Sequence, residues 1–156
     1  MIIFENTFRD LMVAANVVGS RVFFARAPQK PAEQMSSPYI VFFMVAPITH
    51  PTMGGPLTLM NRHYQVDIYD TMQTRVTGIA DTLRAYLDGY KGVFENVDFG
   101  SIWNVNQTWT YEPDTRLFRA LQEYEVMYRL IDAPTAVTTA AQNRSRRINV
   151  NASDTA

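Results

Sequence analysis

Residues 62–87 change hydrophobic period within one uninterrupted stretch. Up to Asp70, Arg62, Tyr64, Val66 and Ile68 recur every second residue and share one side of an extended chain. Beyond it Val76, Ile79, Ala80, Leu83 and Leu87 recur at the spacing of one helical stripe. The loop between the two patterns is almost nil. A strand feeding straight into an amphipathic helix lets both elements bury against the same core. Nothing in this unit is chemically reactive, so the best specified part of the chain reads as built for shape.

The remaining elements follow from the same two periods. Phe4, Phe8, Leu11, Met12, Ala15 and Val18 stand at helical spacing with Gly19 behind them, which predicts a first helix over residues 5–18. Residues 22–24 read as a short strand. Residues 25–38 hold three prolines and two serines and read as a loop. The apolar β-forming run 39–46 predicts a strand buried on both faces. A second loop, 47–56, ends in Gly54, Gly55 and Pro56. Residues 58–69 alternate as a long strand. Asp70 is placed to cap the following helix, with Gln73 three residues on as in a capping box, and Gly89 closes it.

Residues 90–100 fit neither period, with Val93, Phe94 and Val97 apolar between glycines. Residues 102–111 alternate again, placing Trp103, Val105, Trp109 and Tyr111 on one expected face. Glu112, Pro113 and Asp114 form a turn. Residues 117–130 form a last long strand with Phe118, Ala120, Tyr124, Val126, Tyr128 and Leu130 inward. The predicted class is α+β: a two-layer sandwich with a mixed, mostly antiparallel sheet of about four to six strands and two helices on one face. An extended C-terminal arm, 132–156, follows a single domain, 1–131. The arm is rich in Ala, Thr, Asn and Ser and carries only Val137, Ile148 and Val150 as aliphatic residues, too few to fold alone. Its simplest reading is that another subunit or protein holds it.

Composition excludes several function classes. The 156 residues hold 14 basic and 15 acidic side chains, so the chain lacks the basic footprint of a dedicated nucleic-acid binder. It has no cysteine, hence no disulfide framework and no thiolate chemistry. The N-terminus does not read as a signal peptide, and the apolar run 39–47 is too short to span a bilayer. An intracellular site of synthesis fits these features. Eight methionines, nine phenylalanines and eight tyrosines supply contact residues suited to partners.

No residue set forms a convincing catalytic or metal site. His50 and His63 stand in different elements, too far apart for a metal pair on one helix or hairpin. Asp70 reads as a helix cap, and Asp67 lies on the polar strand face with His63 and Gln65. Glu123 and Glu125 share a strand face, as paired carboxylates of acid–base catalysis do, but Arg119 and Arg129 share it too. A charged outer ladder explains them better. Gly54, Gly55 and Pro56 lack the spacing of a phosphate loop, so neither cofactor nor metal is expected. Trp103, Trp109 and Tyr111 could stack single-stranded bases, yet no basic groove accompanies them. Two other classes stay open: a small hydrolase using Glu123 with Asp67 or His63, and a single-strand-binding module using Trp103 and Trp109.

The strand run of residues 39–43, the Tyr64–Tyr69 strand, the helix ending in Leu87, Asp88 and Gly89, the turn at 111–114 and the closing strand 117–129 together resemble the tail-completion, or tail-terminator, proteins of long-tailed bacteriophages and their prophage relatives. The resemblance spans roughly residues 5–131 and consists of residue-class patterns, not catalytic signatures. It implies a structural virion protein assembled in the bacterial host cytoplasm: a homo-oligomeric, hexameric ring on the head-proximal end of the tail tube. Such a ring stops tube polymerisation, contacts the tail tube protein and the neck or head-completion protein, and lets DNA pass through its channel without sequence-specific binding. A head-closure or neck-ring role is the alternative. Interface contacts are expected at Thr49, His50, Met53, Gly54, Gly55 and Leu57 in the second loop and at Arg144, Arg146 and Arg147 in the arm. Glu123 and Glu125 are expected to line the channel, where like charge keeps DNA from sticking.

Overall fold

The computed structural model describes residues 2–27, 37–48 and 59–131. In chain order these form α1 (Ile2–Ala14), β1 (Val22–Phe24), β2 (Tyr39–Ile48), β3 (Met60–Asp70), α2 (Gln73–Leu87), β4 (Gly92–Phe94), β5 (Val97–Glu112) and β6 (Leu117–Leu130). The strands make one sheet in the order β1-β2-β3-β6-β5-β4. β1 runs parallel to β2, and the other neighbours are antiparallel. The class is α+β with a mixed sheet, which curls into a half-barrel.

Alternation along the strands assigns one sheet face to the core. Ile40 and Phe42 of β2, Tyr64, Val66 and Ile68 of β3, and Ala120, Tyr124, Val126 and Tyr128 of β6 are all buried there. Both helices pack on this face. Phe4 of α1 stacks on Tyr128 at 3.7 Å, and Phe8 meets Tyr64 at 5.3 Å and Phe42 at 5.6 Å between ring centroids. α2 buries the expected stripe of Val76, Ile79, Ala80, Leu83 and Leu87. Gln122, fully buried in β6, donates from Nε2 to the Ala80 carbonyl at 2.8 Å. This bond joins helix to sheet and satisfies a polar group that burial would otherwise penalise. Under α1, Glu5 accepts from the Tyr64 hydroxyl at 3.1 Å and pairs with Arg62 at 3.2 Å. Burial pushes the Tyr64 phenol well above its ordinary range.

Several expectations change. α1 stops at Ala14, before Gly19, because Asn16 takes a left-handed φ of 54° that asparagine tolerates and a helix cannot continue through. Val18 is buried nonetheless, beyond the helix end. Asp70 is not the cap of α2: the capping position is Met72, with no side-chain cap bond. Asp70 instead accepts from the Thr71 N–H at 2.6 Å and pairs with Arg75 at 3.2 Å, binding the first turn to the strand end through charge. β2 runs two residues into the predicted second loop, to Ile48. Finally, β2 is not buried on both faces. Val41 and Phe43 are half-buried and Val45 is exposed, because both helices cover the other face. Residues 90–100, which showed no period, form the tight β4–β5 hairpin with Gly92 opposite Phe99.

Three single-residue bulges interrupt the ladders, at Val45 in β2 and at Gly100 and Val105 in β5. A bulge adds one residue to one strand only and increases its twist. Beyond each bulge the in–out parity of the strand is reversed relative to the sequence alternation.

Candidate functional site

The sheet face opposite the helices carries a charged cross-strand ladder. Asp67 of β3, nearly inaccessible, accepts from Arg119 Nη2 of β6 at 2.7 Å and from Gln65 Nε2 at 2.9 Å. Arg119 also reaches Glu112 of β5 at 3.6 Å and lies over the Tyr69 ring at 5.8 Å. Tyr69 stacks on Tyr39 at 5.1 Å, and burial, reinforced by the Asp67 charge, pushes its phenol up to about 12. Farther along, Asp98 pairs with Arg129 at 2.7 Å, His63 Nε2 lies 4.0 Å from Glu123, and Asn61 Nδ2 donates to Glu125 at 2.5 Å. Among the described residues this face holds five carboxylates (Asp67, Asp98, Glu112, Glu123, Glu125) against two guanidiniums (Arg119, Arg129), a net charge of −3 with His63 neutral.

The structure therefore puts Glu123 and Glu125 where the alternation places them, on the open face and away from the helices. The hydrolase arrangement loses its base there: the Asp67 carboxylate is held by Arg119 and Gln65, and Glu123 meets His63 at the limit of ion-pair distance. These groups make the pairs of an outer ladder. Among the described residues no cluster of three or more His, Asp or Glu is placed to hold a metal ion, and no helix is long and apolar enough to cross a membrane.

The second surface is the outer edge of β5, and here the sequence alternation misleads. Trp103 pairs with Glu125 and lies on the open face. The extra residue Val105 then reverses the parity, so Trp109 opposite Ala120 and Tyr111 opposite Phe118 lie on the helix side. The expected single stripe of Trp103, Trp109 and Tyr111 does not exist, and one strand of bases cannot stack on both tryptophans. Two spacings signal the reversal in hindsight: from Phe99 to Ile102 and from Ile102 to Trp109 the inward apolar residues are an odd number apart. Trp109 and Tyr111 remain 50% and 49% exposed. They line a groove of about 140 Å³ with Gln73 and Val76 of α2, Phe118 and Arg119 of β6, and Thr110.

β4 borders β5 only from Val97 to Phe99. Next, Ile102 exchanges backbone bonds with Tyr90 and Gly89, and the Asn104 N–H donates to Asp88 Oδ1 at 3.0 Å. From Asn106 to Glu112 no strand borders β5 on this side among the described residues. The opposite sheet edge is treated differently: Arg9 Nε of α1 donates to the Val22 carbonyl of β1 at 2.9 Å, occupying an edge acceptor. The predicted interface residues Thr49, His50, Met53, Gly54, Gly55, Leu57, Arg144, Arg146 and Arg147 lie outside the described residues.

The family model described as Tail completion protein gp17 matches residues 8–129, from the second turn of α1 to the end of β6. The chain belongs to this tail completion family. The family is one of structural phage tail proteins, so the chain is a structural component of a phage tail and of the virion. The resemblance drawn over residues 5–131 thus covers nearly the same span. Among solved structures, a chain of the virion of a native gene transfer agent (GTA) particle superposes with a TM-score of 0.55 at 11% identity, covering 76% of this chain and 84% of that one. At that identity the likeness is one of fold. A second solved chain reaches a TM-score of 0.47 at 15% identity over 84% of this chain and 92% of that one, too distant to carry an argument. No curated protein matches.

Proposed function

We propose that this tail completion protein forms a homo-oligomeric ring, a hexamer, on the head-proximal end of the tail tube, where it terminates tube polymerisation and joins the tail to the neck or head-completion protein. The family match across residues 8–129 carries the reading. The ring's mechanism is interfacial: a head-to-tail contact repeated about an axis closes the ring, and a rim unlike the tube subunit's own stops further addition. In this reading residues 1–131 are the ring body and 132–156 an extended arm that reaches a neighbour. The second loop, with Thr49, His50, Met53, Gly54, Gly55 and Leu57, meets the tube or neck. The open sheet face faces the channel, with Glu123 and Glu125 exposed to passing DNA. Its net negative charge supports that assignment, because like charge disfavours adhesion of the phosphate backbone.

The experiment is genetic and structural together. A phage lacking this chain is expected to make tails of uncontrolled length that fail to join heads, and the purified chain is expected to form rings by mass measurement and negative-stain imaging. Tails of normal length joined to heads in its absence refute the terminator role.

A further inference from the structure

Among the described residues, the β5 edge from Asn106 to Glu112 has no neighbouring strand. The outward N–H groups of Ile102 and Asn104 set the parity of the ladder, and the bulge at Val105 carries it so that Gln107, Trp109 and Tyr111 direct their backbone N–H and C=O away from β6. On the helix side of this edge lies the groove lined by Val76, Trp109, Tyr111 and Phe118. On the open side stand the polar Thr108 and Thr110. A fitting strand therefore alternates apolar and polar residues and carries little bulk.

The chain contains such a segment beyond its described residues. Residues 147–152 read Arg, Ile, Asn, Val, Asn, Ala, so Ile148, Val150 and Ala152 alternate with Asn149 and Asn151. Arg144, Arg146 and Arg147 stand at the front of it. Glu112 and Asp114 stand at the hairpin end of the β5 edge. Placing the arginines beside those carboxylates makes the added strand antiparallel to β5. It then sets Ile148, Val150 and Ala152 beside Tyr111, Trp109 and Gln107, and the asparagines beside the threonines.

The length of the chain beyond Ile131 favours a neighbour's strand over the chain's own. β6 ends at Leu130, opposite Val97, while the groove lies by Phe118 at the other end of β6, roughly 40 Å away at the strand rise. At coil dimensions, a linker the length of residues 132–147 averages only about 22 Å from end to end. Reaching its own groove would draw the arm to about three-quarters of its full extension, an entropic cost that a neighbour's arm, approaching from a different origin, need not meet. We propose that residues 147–152 of one copy add as an antiparallel strand to the β5 edge of the adjacent copy, with Ile148 and Val150 in the groove beside Trp109. This rests on the ring reading above and specifies the contact that links one subunit to the next.

The absence of cysteine makes the test direct. Full-length Thr110→Cys protein is mixed with full-length chains carrying one cysteine at 148, 149, 150 or 151 (I148C, N149C, V150C, N151C), and the mixtures are oxidised. The expected product is a disulfide-linked dimer that peaks at N149C, at least about tenfold above a pairing of Thr110→Cys with the exposed Lys91→Cys, because a docked strand holds the sulfurs within bonding range. With T110C and N149C in one chain, a ladder of linked oligomers is expected. Linkage no better than the Lys91→Cys control at every arm position, or a disulfide closed within single chains, overturns the proposal. Rings without the cross-link would sink this contact and leave the ring; the cross-link without rings would do the reverse.

Discussion

Deletion of Val105 separates two descriptions of β5 that differ only in parity. In a regular strand, removing one residue turns everything beyond it over. Trp109 and Tyr111 would then leave the helix side, where each is about half covered. An aromatic side chain presents about 200 Å², so the two together would give up roughly 200 Å² of buried surface, or about 5 kcal/mol at 25 cal/mol per Å². Loss of the Gln107–Gln122 bond, 3.1 Å long in the native chain, would add about 1 kcal/mol. With the bulge in place the outcome is the opposite. Val105 is the unpaired residue between Asn104, opposite Tyr124, and Asn106, opposite Glu123, so deleting it leaves a regular ladder with every downstream partner and facing unchanged. Its own side chain is 56% exposed and contributes little. The expected loss is within about 1 kcal/mol, in the range of surface substitutions. Urea denaturation followed by circular dichroism reads the difference, and Trp109 emission, with Trp103 replaced by Phe, should not shift red. Deletion of Leu121 from the regular β6 ladder serves as the matched control: it turns Gln122, Tyr124, Val126 and Tyr128 outward and is expected to abolish folding. A loss near 5 kcal/mol on deleting Val105, or a red-shifted Trp109, refutes the parity assignment and the groove built on it.

Phe8→Ala removes a fully buried ring between Phe4, Phe42 and Tyr64 and should cost about 3–5 kcal/mol, lowering the melting temperature by roughly 6–20 °C in calorimetry; a fall of a degree or two means α1 is not docked there. Asp67→Asn strips the partner charge from Arg119 and should cost about 1–3 kcal/mol in urea titration, while unchanged stability means the ladder contributes nothing. Burial pushes the phenols of Tyr69 and Tyr128 up to about 12 from an ordinary value of 10.0. The folded state keeps protons that the unfolded state releases, so stability is present below pH 10 and declines as pH rises from about 10 to about 12. Tyr69→Phe and Tyr128→Phe should flatten that decline in denaturation midpoints measured across the interval. Glu123→Lys with Glu125→Lys reverses the sign of the open face, and the purified variant should gain salt-sensitive DNA binding in a filter assay that the parent lacks; equal binding by both removes the channel assignment.

Local patterns made much of the fold legible in the amino-acid order. The change of period at Asp70 defined β3 and α2 to within a few residues, and the inward stripe of α2 is the one observed, as is that of β6 up to Tyr128, with Leu130 exposed at the strand end, because periodicity is a property of neighbours along the chain. The placement of Glu123 and Glu125 on an outer face followed from the same parity. What the order alone could not decide depends on residues distant in sequence. The covering of only one sheet face leaves half of β2 open. The bulge at Val105 is defined by its partners in β6, since an extra residue exists only relative to a strand that lacks one. Residue chemistry and local period were thus settled by the sequence, whereas which edge stays open and which way Trp109 faces were settled by register, a relation between strands that only the assembled sheet establishes.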